Sequence, residues 1–457
     1  MKIVIAGYGV EGVSNLRYFQ QKFPEAQLII ASQNTPANVP AGVEVRTGDS
    51  VFTEQLADAD MVVRSPSIAP QRIKTSGKIW SATNEFFATC PTNHTIGVTG
   101  TKGKGTTCSL ITSLLRAAGK TVHLLGNIGV PALDVVEQIQ PDDYVVYELS
   151  SFQLWDLERS PDLAVVLMIE PDHLDVHGDF AVYLDAKKNI RRHQTVASRG
   201  CIYHPTNKYS RDVAMTPPEG LGSHQLGDQR PAGSLRVARR YAVPDDEQVY
   251  IDNGFFCQQG QQICSVDHLK LPGAHNLENA CAAISAVMSL GLPLTAQQVA
   301  AGLEGFSGLP HRLKRVAQVR GVAYYDDSIA TTPGSAIAAL RAFAAPKVLI
   351  LGGSDKGANY AELAGEVAQQ AVRAVIVTGD NAGKIARALD QAKVAAPVLV
   401  RQQATMSDIV AQAAAVATEG DVVILSPAAA SFGMYKSYVE RGERFVAAVA
   451  ALSEGGE

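Results

Sequence analysis

Short apolar runs rich in Val, Ile and Leu recur along the whole chain, each ending in a knot of Gly, Ser, Thr or charged residues. Runs of this kind, without alternation, read as strands buried on both faces, and the helical spacing between them reads as crossover helices. Lys2–Ala6 is the first strand and leads into a helix through Leu16, Phe19 and Gln20. Gln27–Gln33 is the second, and Met61–Ile68 carries a further strand end with the tight turn Ser65-Pro66-Ser67-Ile68. Ile96–Thr99, Thr121–Leu125, the start of Tyr144–Gln153, and Leu163–Ile169 follow as strands. Between them a helix is expected from Ser109 to Ala118, with Leu110, Ile111, Leu114 and Leu115 facing the core and Gly119 as C-cap. Tyr183–Ile190 reads as another helix. After Cys201 the pattern turns to polar loops and short strands, with Gln248–Ile251 and Phe255–Cys257 paired around Asp252-Asn253-Gly254. An Ala-rich helix then opens near Ala274, and Gly321–Tyr325, Val348–Leu351 and Val422–Leu425 are later strands running into loops.

This alternation predicts an α/β chain of three domains. Residues 1–91 form a Rossmann-like domain, 92–308 a central P-loop ATPase-like domain with the small β appendage, and 309–457 a second Rossmann-like domain. The central motif is Val98-Thr99-Gly100-Thr101-Lys102-Gly103-Lys104-Gly105-Thr106-Thr107. Its glycines let successive N–H groups face an anion, Lys104 adds a point charge, and the following helix N-terminus adds its dipole. A nucleoside triphosphate fits this cradle. Gly105 stands where the usual P-loop has a hydroxyl, so Thr106 is the expected Mg²⁺ ligand.

In the first domain, Gly7-Tyr8-Gly9-Val10-Glu11-Gly12 matches the diphosphate turn of a Rossmann unit. The second strand, ending near Ser32, lacks the Asp or Glu that grips an adenosine ribose, so a diphosphate other than that of a nicotinamide cofactor is expected. Glu148 emerges at a strand end in a Walker-B-like position. Asn127 offers an amide in a flexible turn. Glu170-Pro171-Asp172-His173-Leu174-Asp175-Val176-His177 gathers three acids and two imidazoles, a set suited to a cation. Lys187, taken alone, reads as an ordinary surface charge.

With 40 basic and 45 acidic residues well mixed, the net charge of −5 offers no stripe for nucleic acid and no polybasic membrane patch. No apolar run approaches the roughly 18 residues that span a bilayer, and the first strand is too short and wrongly flanked for a signal peptide. The six cysteines contain no Cys-x-x-Cys pair, which argues against zinc and redox motifs. A cytoplasmic monomer acting on small molecules, without nucleic-acid or membrane partners, is the expectation.

Together these motifs, from Gly7 to Arg444, resemble the Mur ligases, the ATP-dependent amide-forming enzymes of peptidoglycan precursor synthesis, and among them those that add glutamate to UDP-N-acetylmuramoyl-L-alanine. The resemblance implies that Gly100, Thr101, Lys102, Gly103, Lys104, Gly105 and Thr106 bind ATP, with Asn279 and Arg312 on the adenine nucleotide and Asp327 on its ribose. It implies two Mg²⁺ sites, one on Thr106 and Glu148, the other on His173 and a carbamylated Lys187, which reverses the reading of that lysine. Lys104, His173 and Lys187 then carry the chemistry. Gly9, Val10, Glu11, Ser32, Ser65, Asn127, Ser150 and Ser151 would hold the UDP substrate, and Thr331, Lys356, Ser431 and Phe432 the glutamate. Gly308-Leu309-Pro310-His311-Arg312-Leu313 matches the family's linker signature.

The chain departs from the family pattern at Ile329, where Lys is usual, at Met168, where Asn is usual, and near Tyr438, where Phe is frequent. D-glutamate is the family default, and a variant branch using L-glutamate carries a similar Asp-Ser-Ile turn. Folylpolyglutamate synthases share the Gly-Lys-Gly loop but lack the first domain. Mur-like subunits that dock an amidotransferase carry clustered zinc cysteines, and a dehydrogenase would need the missing acid after the second strand.

Overall fold

The computed structural model describes residues 1–127, 130–218, 239–242, 244, 248–355 and 357–454. Two compact units emerge, one of residues 1–269 with 277–305 and the other of 270–276 with 306–457. Both are α/β, as expected.

The first unit contains two parallel sheets. One runs in the order Glu44–Thr47, Gln27–Ser32, Lys2–Ala6, Met61–Arg64, Lys78–Ser81. Ile3, Val4, Ile5, Ile29 and Ile30 are completely buried, because helices or loops cover both faces of the sheet. The second sheet runs Arg239–Arg240, Gly200–Tyr203, Leu163–Val166, Thr95–Thr99, Tyr144–Glu148, Val122–Gly126. Thr95–Thr99 therefore lies between Tyr144–Glu148 and Leu163–Val166, all parallel. The loops beginning at Gly100, Leu149 and Leu167 leave the sheet side by side at its carboxyl edge, where open α/β sheets bind ligands.

The two sheets share an apolar core. Phe86 and Phe87 pack on Tyr147 with ring centroids 5.4 and 5.6 Å apart. At the edge of that core Ser14 donates to Asp134 at 2.7 Å. Arg64, fully buried, pairs with Asp156 and donates to the Phe152 carbonyl at 2.9 Å.

The helix expected from Ser109 instead starts at Lys104 and ends at Ala117. Gly103, at its N-cap, already turns the chain, so the polar residues up to Cys108 belong to the first turn of the helix rather than to a loop. Gly119 does end it, its N–H bonded to the Arg116 carbonyl. The strand expected to reach Ile169 stops at Val166, and the helix around Lys187 is longer than expected, Phe180–Arg192, N-capped by Asp179. The hairpin around Asp252-Asn253-Gly254 forms, and Gln261–Ser265 adds a third antiparallel strand.

The second unit holds one sheet in the order Lys314–Val319, Val322–Asp326, Val422–Leu425, Lys347–Gly352, Val372–Thr378, Val398–Val400. The first pair is antiparallel and the rest parallel. Val322–Asp326, Val422–Leu425 and Lys347–Gly352 are adjacent, so their carboxyl ends also release three neighbouring loops. Among the described residues no helix is long and apolar enough to cross a membrane.

Candidate functional site

The phosphate-type loop is held from several sides. Gly103 has φ +85°, and a Cβ there would lie 2.5 Å from the Asn279 side-chain oxygen, so the position excludes side chains on both conformational and steric grounds. Thr107 donates to that same oxygen at 3.3 Å. Thr101 is tied to the neighbouring strand end through Met168 and Glu170, its N–H to Met168 O at 2.8 Å and its hydroxyl to Glu170 O at 3.0 Å. Lys104 Nζ donates to the carbonyls of Gly100 and Thr101, each at 3.1 Å. Lys102 points outward and pairs with Glu170 at 3.2 Å.

Beside this loop lies a cavity of about 410 Å³. Gly100, Lys104, Asn127, Ser150, Ser151, His173 and Lys187 all line it, so the fold brings together residues spread over some ninety positions of the sequence. Pro66, Ser67, Phe152, Asp172 and Tyr183 complete the wall. Ser65 does not point there, because its hydroxyl donates to the Gly7 carbonyl at 3.1 Å, and Ser67 takes the place on the cavity.

Ser150 caps the short helix Ser151–Leu154 in a reciprocal box with Gln153, its N–H and hydroxyl both donating to the side-chain Oε1 of Gln153 at 2.9 Å. That fixes Ser151 at the start of the helix, facing the cavity. Lys187 is 1% exposed, its Nζ donating to Gly100 O at 3.0 Å and Thr99 Oγ1 at 3.3 Å. Burial, and then the nearby Lys104 charge, push its pKa well below the usual lysine range. The surface reading of this lysine from sequence alone is therefore corrected. Tyr183, one helical turn before Lys187, hydrogen-bonds Thr101 at 3.0 Å.

The five charged residues between Glu170 and His177 do not gather on one cation. Glu170 turns to Lys102, Asp172 bonds the N–H of His173 at 3.0 Å, and His177 is buried between Trp155 and Phe152, with ring centroids 4.1 and 5.1 Å away. Among the described residues no group of three or more His, Cys, Asp or Glu side chains forms a metal cluster. The pair Thr106 and Glu148 is of another kind. Thr106 and Glu148 are buried near the helix start, and the Glu148 carboxylate and Lys104 ammonium both act on Cys108 in that helix. A carboxylate and a hydroxyl beside a phosphate loop are oxygen donors of the kind that hold Mg²⁺ when phosphate oxygens supply its other ligands.

At the first sheet, Gly9 caps the helix Val10–Lys22. Val10 is exposed, and Glu11, its Oε1 without a hydrogen-bond partner, has its pKa pushed up to about 7 by burial, with Arg64 opposing. Ser32 ends its strand. In the second unit, Ser431 is buried while Thr331, Phe432 and Arg312 are exposed. Asp327 accepts from Leu313 N–H at 3.0 Å and Ser426 Oγ at 2.7 Å, and burial raises its pKa to about 7. Lys356 lies outside the described residues.

Comparison with known proteins adds to this geometry. A family model described as the Mur ligase middle domain matches residues 98–287, and one described as the Mur ligase glutamate ligase domain matches 311–429. The UDP-N-acetylmuramoylalanine--D-glutamate ligase of Symbiobacterium thermophilum is 35% identical over 466 residues, covering 99% of this chain and 98% of its own. The protein of that name from Saccharophagus degradans is 34% identical with the same coverage, 99% and 98%. Among solved structures, UDP-N-acetylmuramate-alanine ligase from Thermotoga maritima aligns with a TM-score of 0.59 at 18% identity, over 99% of both chains. Mycobacterium tuberculosis folylpolyglutamate synthase complexed with ADP aligns with a TM-score of 0.53 at 16% identity, over 82% of this chain and 95% of its own. The structural likenesses speak to the fold.

Proposed function

The chain belongs to the Mur ligase family, and from this premise we propose that it is an ATP-dependent, ADP-forming ligase that adds D-glutamate to UDP-N-acetylmuramoyl-L-alanine in peptidoglycan precursor synthesis. One observation carries the reading. The phosphate loop, through Gly100 and Lys104, shares a single cavity with Asn127, Ser150 and Ser151, so a phosphoryl donor and a carboxylate acceptor can meet in it. The relatives named above support the enantiomer, each being named for D-glutamate. Their 35% and 34% identity over 99% of this chain also favours this reading over folylpolyglutamate synthesis.

In this mechanism an oxygen of the L-alanyl carboxylate attacks the γ-phosphorus of ATP and the bond to ADP breaks. The glutamate amine then attacks the acyl carbon of the acyl phosphate, gives up a proton, and the tetrahedral intermediate expels phosphate. The loop N–H groups from Gly100 to Thr106 and Lys104 orient the triphosphate and offset its charge, with Asn279, Arg312 and Asp327 on the nucleoside. Asn127, Ser150 and Ser151 fix the acceptor carboxylate in line. Gly9, Val10, Glu11, Ser32 and Ser65 lie along the UDP end, and Thr331, Lys356, Ser431 and Phe432 receive the glutamate.

Thr106 and Glu148 would hold one Mg²⁺, and His173 with a carbamylated Lys187 a second. Bound there, the ions supply neutralisation of the transferring phosphoryl oxygens. The environment of Lys187 supports the carbamate, since a buried lysine held toward its neutral amine is the form that adds CO₂.

The test is a phosphate-release assay with ATP and UDP-N-acetylmuramoyl-L-alanine, run with D-glutamate, with L-glutamate, and with neither. Release is expected with D-glutamate. Release without any amino acid, or with L-glutamate in preference, overturns the assignment.

A further inference from the structure

The second unit contains a buried cation that the mechanism above does not use. Arg441, in the helix Tyr438–Glu454, is 2% exposed. Its Nη2 donates to Ser328 O at 2.7 Å, its Nε to Ser328 Oγ at 3.0 Å, and its Nη1 to Ala429 O at 3.0 Å. The same Nη1 would lie 3.2 Å from a Cβ placed on Gly353. Ser328, Gly353 and Ala429 belong to the three loops that follow Val322–Asp326, Lys347–Gly352 and Val422–Leu425, the adjacent strands whose carboxyl ends form the edge of the sheet. One guanidinium thus bonds two of these loops and occupies the space beside the third that a side chain at Gly353 would need. Thr331 lies three positions beyond Ser328 and Ser431 two beyond Ala429.

The sequence builds this arrangement on purpose at the next position. A Cβ on Gly442 would fall 2.1 Å from His311 Nδ1 and 2.8 Å from Asp326 Oδ2, so only glycine lets the helix approach the His311–Asp326 pair closely enough for Arg441 to reach Ser328. Ser328 completes the joint by donating to the Tyr438 carbonyl at 2.8 Å.

Arg441 hydrogen-bonds to carbonyl and hydroxyl oxygens, those of Ser328 and Ala429. Asp326, the carboxylate acting on it, is engaged by the Ser328 N–H at 3.0 Å and by His311 at 2.7 Å. A guanidinium held in this way leaves positive potential at the strand ends, fixed in place before any ligand arrives.

We propose that Arg441 is the positioning residue of the amino-acid pocket: it sets the spacing of the Ser328, Gly353 and Ala429 loops, and its charge favours an acceptor amino acid with a second carboxylate over its amide analogue. This rests on the reading that places Thr331, Ser431 and Phe432 on the incoming glutamate.

The experiment compares wild type with Arg441→Met and Arg441→Lys in the full chain, by phosphate release, measuring KM separately for ATP, the UDP substrate and the amino acid, and kcat/KM for glutamate against glutamine. For Arg441→Met, KM for glutamate should rise about 30-fold or more, with the other two KM values within about 3-fold, because a buried charge-assisted contact is worth on the order of 2 kcal/mol. The preference for glutamate over glutamine should fall about 10-fold, and Arg441→Lys should recover part of both effects. A strut without an electrostatic role would weaken both amino acids equally, and that result, or an unchanged KM for glutamate, overturns the proposal. If Arg441→Met fails to show a cooperative melting transition, Arg441→Lys and Ser328→Ala are read by the same KM split and the same selectivity ratio. Failure of the underlying reading is separate, since wild type would then not consume glutamate at all.

Discussion

The Nε2 of His177 lies 3.0 Å from the hydroxyl oxygen of Ser151, while its Nδ1 is buried with no hydrogen-bond partner. An orphaned buried N–H costs about 1–3 kcal/mol, so the proton belongs on Nε2 and His177 donates to Ser151. Burial, followed by the charges of His173 and Lys187, lowers the His177 pKa to about 4 and keeps the ring neutral. Ser151 then has its own proton to direct into the cavity, toward an acceptor oxygen of the substrate. His177→Phe keeps the stack on Trp155 and Phe152 but removes this donor. It should raise KM for UDP-N-acetylmuramoyl-L-alanine about 5- to 10-fold with little change in KM for ATP. Steady-state kinetics with each substrate varied in turn checks this.

Removing the Lys104 ammonium should be felt in the chemical step. Lys104→Met is expected to lower kcat about 100- to 1000-fold, the usual loss when one preorganised charge at a transferring group is deleted. Far-ultraviolet circular dichroism should remain that of wild type, because the loop keeps its bonds through Thr101 and Asn279.

Lys187→Ala should abolish turnover, and a short carboxylic acid such as acetate should restore part of it by filling the position of the carbamate. Activity untouched by the substitution would show that no carbamate operates there. Glu148→Gln should raise the Mg²⁺ concentration for half-maximal activity about 10-fold or more, read by titrating Mg²⁺ at saturating ATP.

Glu11 and His177 tilt stability with pH in opposite directions. The Glu11 pKa is raised from 4.5 to about 7, so the folded chain holds the proton more tightly than the unfolded chain, and this contribution is lost as pH rises through 7. The His177 pKa is lowered from 6.5 to about 4, so the unfolded chain takes the proton first and stability falls as pH drops below 6.5. Glu11→Gln, which imitates the protonated acid, should match wild type near pH 4.5 and exceed it by on the order of 1 kcal/mol at pH 8, after allowance for partial exposure. Urea midpoints at the two pH values measure the difference.

Much of this was legible in the chain because buried parallel strands announce themselves. Runs such as Lys2–Ala6 and Tyr144–Glu148 are apolar on both faces, and the polar knots after them mark the carboxyl edge. Strand order was not legible, since nothing local states that Thr95–Thr99 sits between two strands that come later in the sequence. The five charges from Glu170 to His177 looked like one site because sequence shows proximity but not direction. In the fold, Glu170 turns outward to Lys102, and His177 turns inward to the aromatic rings. Arg441 gave no signal beyond the glycine after it, for its partners Ser328 and Ala429 are reached through tertiary packing alone.

The bonds that brace the phosphate loop have a kinetic consequence. With Gly103 already in its left-handed turn and Lys104 bonded to Gly100 and Thr101, the conformational entropy of ordering this segment is lost when the protein folds and not when nucleotide arrives. A nucleotide meeting a loop already in shape waits for no slow rearrangement of that segment, so its association rate should follow diffusion and charge. Differences in affinity among loop variants should then show up as differences in how long the nucleotide stays bound.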